Sequence, residues 1–254
     1  MYGWRARIGL LVPCSNTTAE IEFARMAPEG VSVHTGRVWQ EEPSDDAGKA
    51  EKLIAMSRRA PERARELAEV RPGVIVWACT SATFAAGPGS DVEIARAIEQ
   101  ASGVPAVITS TAVALALRAL GVRRIGMATP YIEDIAQREK RFFEATVPGL
   151  SILAVHNLGL RENLPKGMLF PEATYQAARA VDTPDAEAIF VSCTNWRAIE
   201  IIEPLERDLG KPVITSNQAS MWAALARLGI AGPRGYGRLF EQPLPTAQPA
   251  GVLV

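Results

Sequence analysis

"RIGLLVPC", Arg7 to Cys14, returns later in the chain as "RIGMATPY", Arg124 to Tyr131. Each copy is a compact apolar run ending in a proline turn, which reads as a strand of a parallel sheet covered on both faces. Two more pairs follow in the same order. "WACTSAT" (Trp77 to Thr83) returns as "VSCTNWR" (Val191 to Arg197), and "PAVITST" (Pro105 to Thr111) returns as "PVITSNQ" (Pro212 to Gln218). After the last pair, an Ala/Leu-rich stretch stops at Leu120-Gly121 in one copy and at Leu228-Gly229 in the other. Three matched pairs at nearly constant offset predict a duplicated fold.

The segments between the pairs fit this frame. Strands are expected at Arg7–Pro13, Val31–Val38, Val74–Ala78, Ala106–Thr109, Ile125–Thr129, Ile152–Asn157, Ile189–Ser192 and Val213–Thr215, with helices between them. In Lys49–Val70, apolar residues recur at three- and four-residue steps, and Pro61 is expected to break or kink the helix. Strand and helix in alternation give an α/β architecture of two lobes with parallel sheets. Residues 1–111 and 218–254 would form lobe one, and 112–217 lobe two. A ligand would bind between them, at the carboxyl ends of both sets of strands.

Composition narrows the function. The chain has 254 residues, with 27 Lys plus Arg against 28 Asp plus Glu and a net charge of -1. The basic residues are dispersed, so neither a nucleic acid nor a membrane surface is the expected partner. Three cysteines without cystine-like spacing, no leader-like opening and no apolar run near 20 residues lead to the expectation of a soluble, cytoplasmic protein acting on a small molecule.

The repeat places Cys79 and Cys193 at equivalent positions just past a strand, each followed by Thr. Core packing accounts for one such cysteine but gives no reason for both halves to choose Cys-Thr. At the start of a helix a thiol meets free N–H groups and the positive end of the helix dipole, which lowers its pKa and makes it nucleophilic. The same N–H groups bind carboxylates. Thr80 with Ser81, and Thr194 with Asn195, would form two donor nests around the thiols, and Ser15, Asn16, Thr17 and Thr18 a third. For "SNTT" an ordinary N-cap remains an alternative.

"VPCSNTTAE" (Val12 to Glu20), the two Cys-containing turns, "TPYIEDI" and "ENLPKG" together resemble the maleate cis-trans isomerases. These belong to the aspartate/glutamate racemase superfamily, which also holds the arylmalonate decarboxylases. The resemblance spans Arg7 to Ile230. It implies two Rossmann-like lobes related by a pseudo-twofold, with Cys79 as nucleophile and Cys193 as acid/base partner. Asn16, Tyr131 and Asn163 match the carboxylate-binding positions. It further implies no cofactor, a mono- or dicarboxylate substrate, and a homodimer or homotetramer.

Two features depart from the isomerase pattern: Cys14 stands where Ser is usual, and "TNWR" after the second cysteine is closer to a racemase or hydantoin-racemase turn. Cys14 is either a third thiol near the site or a packing residue. Trp77 reads as core, and Trp196 as either core or pocket wall. The two histidines, His34 and His156, lie on strand-like runs, and neither they nor the cysteines have metal-ligand spacing. The glycine-rich stretches "GPGS" and "GPRGYG" lack the spacing of phosphate loops and mark turns. Three readings stay open: isomerisation of maleate or a close cis-dicarboxylate, two-base racemisation or decarboxylation in the same cleft, and a non-enzymatic binding protein.

Overall fold

The structure, a computed structural model, describes residues 1–42 and 45–243. The stretch from Pro243 onward, "PLPTAQPAGVLV", reads from its prolines as a loose extension or an arm on a neighbour, and beyond Pro243 it lies outside the described residues. The first half runs β1 (Ala6–Pro13), α1 (Ala19–Met26), β2 (Val31–Val38), α2 (Lys49–Ser57), α3 (Ala60–Leu67), β3 (Val74–Trp77), α4 (Thr80–Phe84), α5 (Ser90–Ser102), β4 (Ala106–Ile108) and α6 (Thr109–Ala119). The second half runs β5 (Arg124–Thr129), α7 (Glu133–Thr146), β6 (Ser151–Asn157), α8 (Leu164–Gly167), α9 (Pro171–Ala180), β7 (Ala188–Val191), α10 (Ile202–Leu209), β8 (Val213–Thr215) and α11 (Ser216–Arg227).

Two four-stranded sheets result, with orders β2-β1-β3-β4 and β6-β5-β7-β8, parallel at every pairing. The orders are the same, so the sequence repeat is a structural one. β3 and β7, all apolar, are buried along their whole length, because helices cover both their faces. Outer strands β2 and β6 are only half-buried, which is where the two histidines find room. Between the sheets α6 packs on α11; α11 also touches β3, β4 and β8. Among the described residues no helix is long and apolar enough to cross a membrane.

Local chemistry explains the breaks. The helix expected over Lys49–Val70 divides at Arg58-Arg59, because the ring of Pro61 would strike the carbonyl four residues back, at Ser57. Pro61 instead sits in the first turn of α3, where its missing N–H costs nothing. Gly126, the glycine of the second "RIG", lets α9 approach β5. A Cβ there would lie 2.2 Å from the Val181 carbonyl oxygen.

The halves differ after the third strand. β3 is followed by α4, whereas no helix follows β7 until α10 at Ile202. The expectation of a helix start after both cysteines therefore holds for Cys79 alone.

Candidate active site

β1, β3, β5 and β7 all end at one narrow cavity. In each sheet the chain reverses direction of travel between its first and third strands, and the loops there diverge to leave a crevice. From the first half Cys79, Thr80 and Ser81 reach the wall. Tyr131, Asn163, Cys193 and Thr194 reach it from the second. The cysteines are 4% and 6% exposed, so the site is nearly closed to bulk water.

Hydroxyls hold the two cysteine turns against each other. Thr194 Oγ1 donates to the Ala78 carbonyl at 2.9 Å, and Thr80 Oγ1 donates to Ser216 Oγ at 3.1 Å. That Ser216 oxygen also accepts the Cys193 N–H at 3.0 Å. Cys79 sits in extended backbone (φ -149°) as the N-cap of α4. Cys193 has φ 135°, a conformation costly for any residue with a Cβ, of order 1–3 kcal/mol. The surrounding hydrogen bonds keep it there.

Ser15, Asn16, Thr17 and Asn195, expected in the donor nests, stand behind the wall. The Asn16 carboxamide oxygen accepts the N–H groups of Thr18 and Ala19 at 3.0 and 2.9 Å, at the entry to α1, and its nitrogen donates to Thr194 Oγ1 at 3.2 Å. Asn16 is thus engaged with backbone ahead of α1 and with Thr194, and does not line the cavity. Asn195 Oδ1 accepts the Thr17 N–H at 2.8 Å, its Nδ2 donates to the Asn163 carbonyl at 2.8 Å, and Asn163 Nδ2 donates to Ser15 Oγ at 3.0 Å. These residues stitch one half to the other. Cys14 Sγ accepts the Gln40 N–H at 3.4 Å and packs rather than facing the cavity. Trp77 and Trp196 are fully buried core residues. His34 bonds Ser32, and Arg37 grips the carbonyls of Cys14 and Asn16, both away from the cavity.

The thiols are not acidic in this arrangement, contrary to expectation. Burial pushes Cys79 up to about 11, against smaller downward pulls from the Ala82 N–H and Ser81. Cys193 is raised too, first by burial, while Lys166, the Tyr131 hydroxyl and the Asn195 N–H pull it back. No helix starts at Cys193, and the one starting after Cys79 has only five residues, so desolvation wins. Behind Cys193 the Ser192 hydroxyl donates to Glu139, a fully buried carboxyl that burial lifts to about 8.

Sequence reading missed Pro13, Gln40, Leu53 and above all two lysines in the wall, Lys49 and Lys166. Lys49 was read as the start of an amphipathic helix, and Lys166 lay unremarked within "ENLPKG". One signal was present: Lys49 and Lys166 are separated by the same interval as Arg7 and Arg124.

The family model for arylmalonate decarboxylase matches residues 8–240. The chain belongs to the arylmalonate decarboxylase family. Within this family it is 32% identical over 248 residues to a maleate isomerase of Nocardia farcinica, covering 93% of this chain and 96% of that protein. It is 31% identical over 240 residues to an arylmalonate decarboxylase of Bordetella bronchiseptica, with 92% and 96% covered. A solved variant of the N. farcinica maleate cis-trans isomerase, carrying a covalently bound succinylcysteine intermediate, superposes with a TM-score of 0.84 at 29% identity, covering 92% of this chain and 98% of that one. Membership of the arylmalonate decarboxylase family therefore supports an isomerase or a decarboxylase activity.

Proposed function

We propose that this protein isomerises maleate, or a close cis-dicarboxylate, to the trans acid. The observation that carries the reading is one thiol from each half facing a single closed cavity whose wall holds hydroxyl donors and no Asp or Glu. The likeness to maleate isomerases, one of them solved with a succinylcysteine, supports it.

In this reading Cys79 must first give up to solvent, as substrate enters, the proton that burial holds on it; as thiolate it adds to one alkene carbon, and the Cys193 thiol gives its proton to the neighbouring carbon. The product is a succinyl thioether on Cys79 and a thiolate at Cys193. The former double bond is now single and rotates. Cys193 takes a proton back from that carbon, the C–S bond breaks, and the trans acid leaves with Cys79 again a thiolate. Protons and electrons balance within the cycle, and the two thiols need no added group. Thr80, Ser81, Tyr131, Asn163 and Thr194 would hold one carboxylate where charge develops on addition, while Ser15, Asn16, Thr17 and Asn195 support them from behind. The other carboxylate must swing.

Two-base racemisation would use the same pair of sulfurs, and arylmalonate decarboxylation, which needs one proton donor, the same cavity. Proton NMR of the purified protein with maleate separates them: loss of the cis alkene signal with growth of the trans signal is expected. An unchanged maleate spectrum alongside carbon dioxide release from phenylmalonate would replace this reading with the decarboxylase one.

A further inference from the structure

Two lysines sit in the wall of the cavity: Lys49 is paired with a carboxylate outside the wall, and Lys166 has no carboxylate partner among the described residues. Lys166, in α8, is 2% exposed, and Lys49, the first residue of α2, is 3% exposed. The Lys166 ammonium donates to the Arg161 carbonyl at 3.4 Å and stands 5.0 Å from the centroid of the Tyr131 ring. Among the described residues no carboxylate lies within ion-pair distance of it. Lys49 pairs with Glu42 at 3.4 Å, but the Glu42 side chain is 39% exposed and does not reach the wall. The cavity therefore carries an uncompensated positive charge away from water, which is unfavourable unless an anion arrives.

The fold goes to some length to place these charges. α2 follows the second strand of the first sheet and α8 the second strand of the other, so each half supplies one lysine from the equivalent place. α8 is seated tightly. A Cβ on Gly167 would fall 2.2 Å from Thr17 Oγ1 and 2.9 Å from Asn195 Oδ1, so only glycine lets the turn carrying Lys166 close on the other half. A shallow cleft adjoins the cavity, and both lysines line both, placing them at the junction. The hydroxyls of Thr80 and Thr194 line the cavity only.

We propose that Lys166 and Lys49 form a cationic subsite for the second carboxylate of a short acyclic dianion, and that they select dicarboxylates over monocarboxylates. The subsite rests on the reading of this cavity as the substrate site. The first carboxylate lies among the hydroxyls beside the cysteines, and the second is drawn toward the lysines as the bond between them turns. A single buried ammonium would hold a carboxylate in one place; two, one from each half, let it pass from one to the other.

Titration calorimetry with succinate and butyrate, saturated acids that differ by one carboxylate, tests this without turnover. Wild-type protein is expected to bind succinate at least ~tenfold more tightly than butyrate. Lys166→Met and, separately, Lys49→Met should each lose that preference while butyrate affinity stays the same, and Lys166→Arg should keep it. Should Lys166→Met fail to fold, Lys49→Met decides by the same reading. Retained preference in the methionine variants, equal loss of both ligands, or no succinate binding by wild type at millimolar concentration overturns the subsite. If the preference collapses as expected but maleate is not isomerised, the proposed reaction falls and the subsite stands.

Discussion

Thr194, which follows one cysteine, donates its hydroxyl hydrogen to the carbonyl of Ala78, which precedes the other, at 2.9 Å. The two residues lie on different sheets, so this bond measures the gap between the halves at the point where both thiols emerge. Thr194→Val keeps the shape and removes the donor. It leaves the Ala78 carbonyl unpaired in a buried site, a loss of about 1–3 kcal/mol. A urea melt should show that loss, and turnover should fall at least ~tenfold as the thiols lose register. Wild-type kinetics in a destabilised variant would show that the tie serves stability alone.

Cys79→Ala is expected to abolish turnover. Cys193→Ala should leave Cys79 able to add slowly and unable to reverse promptly, so intact-mass spectrometry after exposure to maleate should find one substrate mass added. Full activity in either variant would remove the paired-thiol mechanism.

Asn16→Ala separates structural support from direct carboxylate binding. Because the side chain bonds two N–H groups at the entry to α1 and props Thr194, its loss should cost about 1 kcal/mol of stability together with a lower kcat. A raised KM with unchanged stability would instead make Asn16 a direct ligand of the substrate.

Stability should fall as pH rises from about 4.5 to 8. Glu22, bound to the N–H groups of Ala198 and Ile199, is lifted by burial to about 7, and Glu139 by burial to about 8, both from the ordinary 4.5. Across that window the folded chain holds protons that the unfolded chain has released, so each unit of pH weakens the fold until both carboxyls ionise. Melting temperature is expected to be higher at pH 5 than at pH 8, and Glu139→Gln should flatten the slope. A melting temperature that climbs over this range would contradict the protonated assignment.

The eight strands and the paired cysteines were legible in the sequence because each copy repeats a buried apolar run and a Cys-Thr turn. Strand ends matched to within a residue or so, as at Val74–Ala78 against the observed Val74–Trp77. The lysines were not legible, since a charged residue at a helix start ordinarily faces water, and only the docking of α8 on the opposite half buries Lys166. Nor did any local pattern announce the φ of 135° at Cys193, which comes from its Ser216 contact and not from a neighbouring glycine. The thiol acidity was misjudged for a related reason. Helix dipoles can be read from spacing, whereas the depth of burial that outweighs them belongs to the assembled pair of sheets.

α4 follows Cys79 and has no counterpart after Cys193. Maleate is its own mirror image, and a perfectly twofold pocket would greet its two ends alike. With unlike turns on the two sides, the two thiols are not equivalent, so under the proposed mechanism one side would supply the attacking sulfur and the other the proton, each from a fixed direction. In deuterated water the captured thioether should accordingly be a single diastereomer.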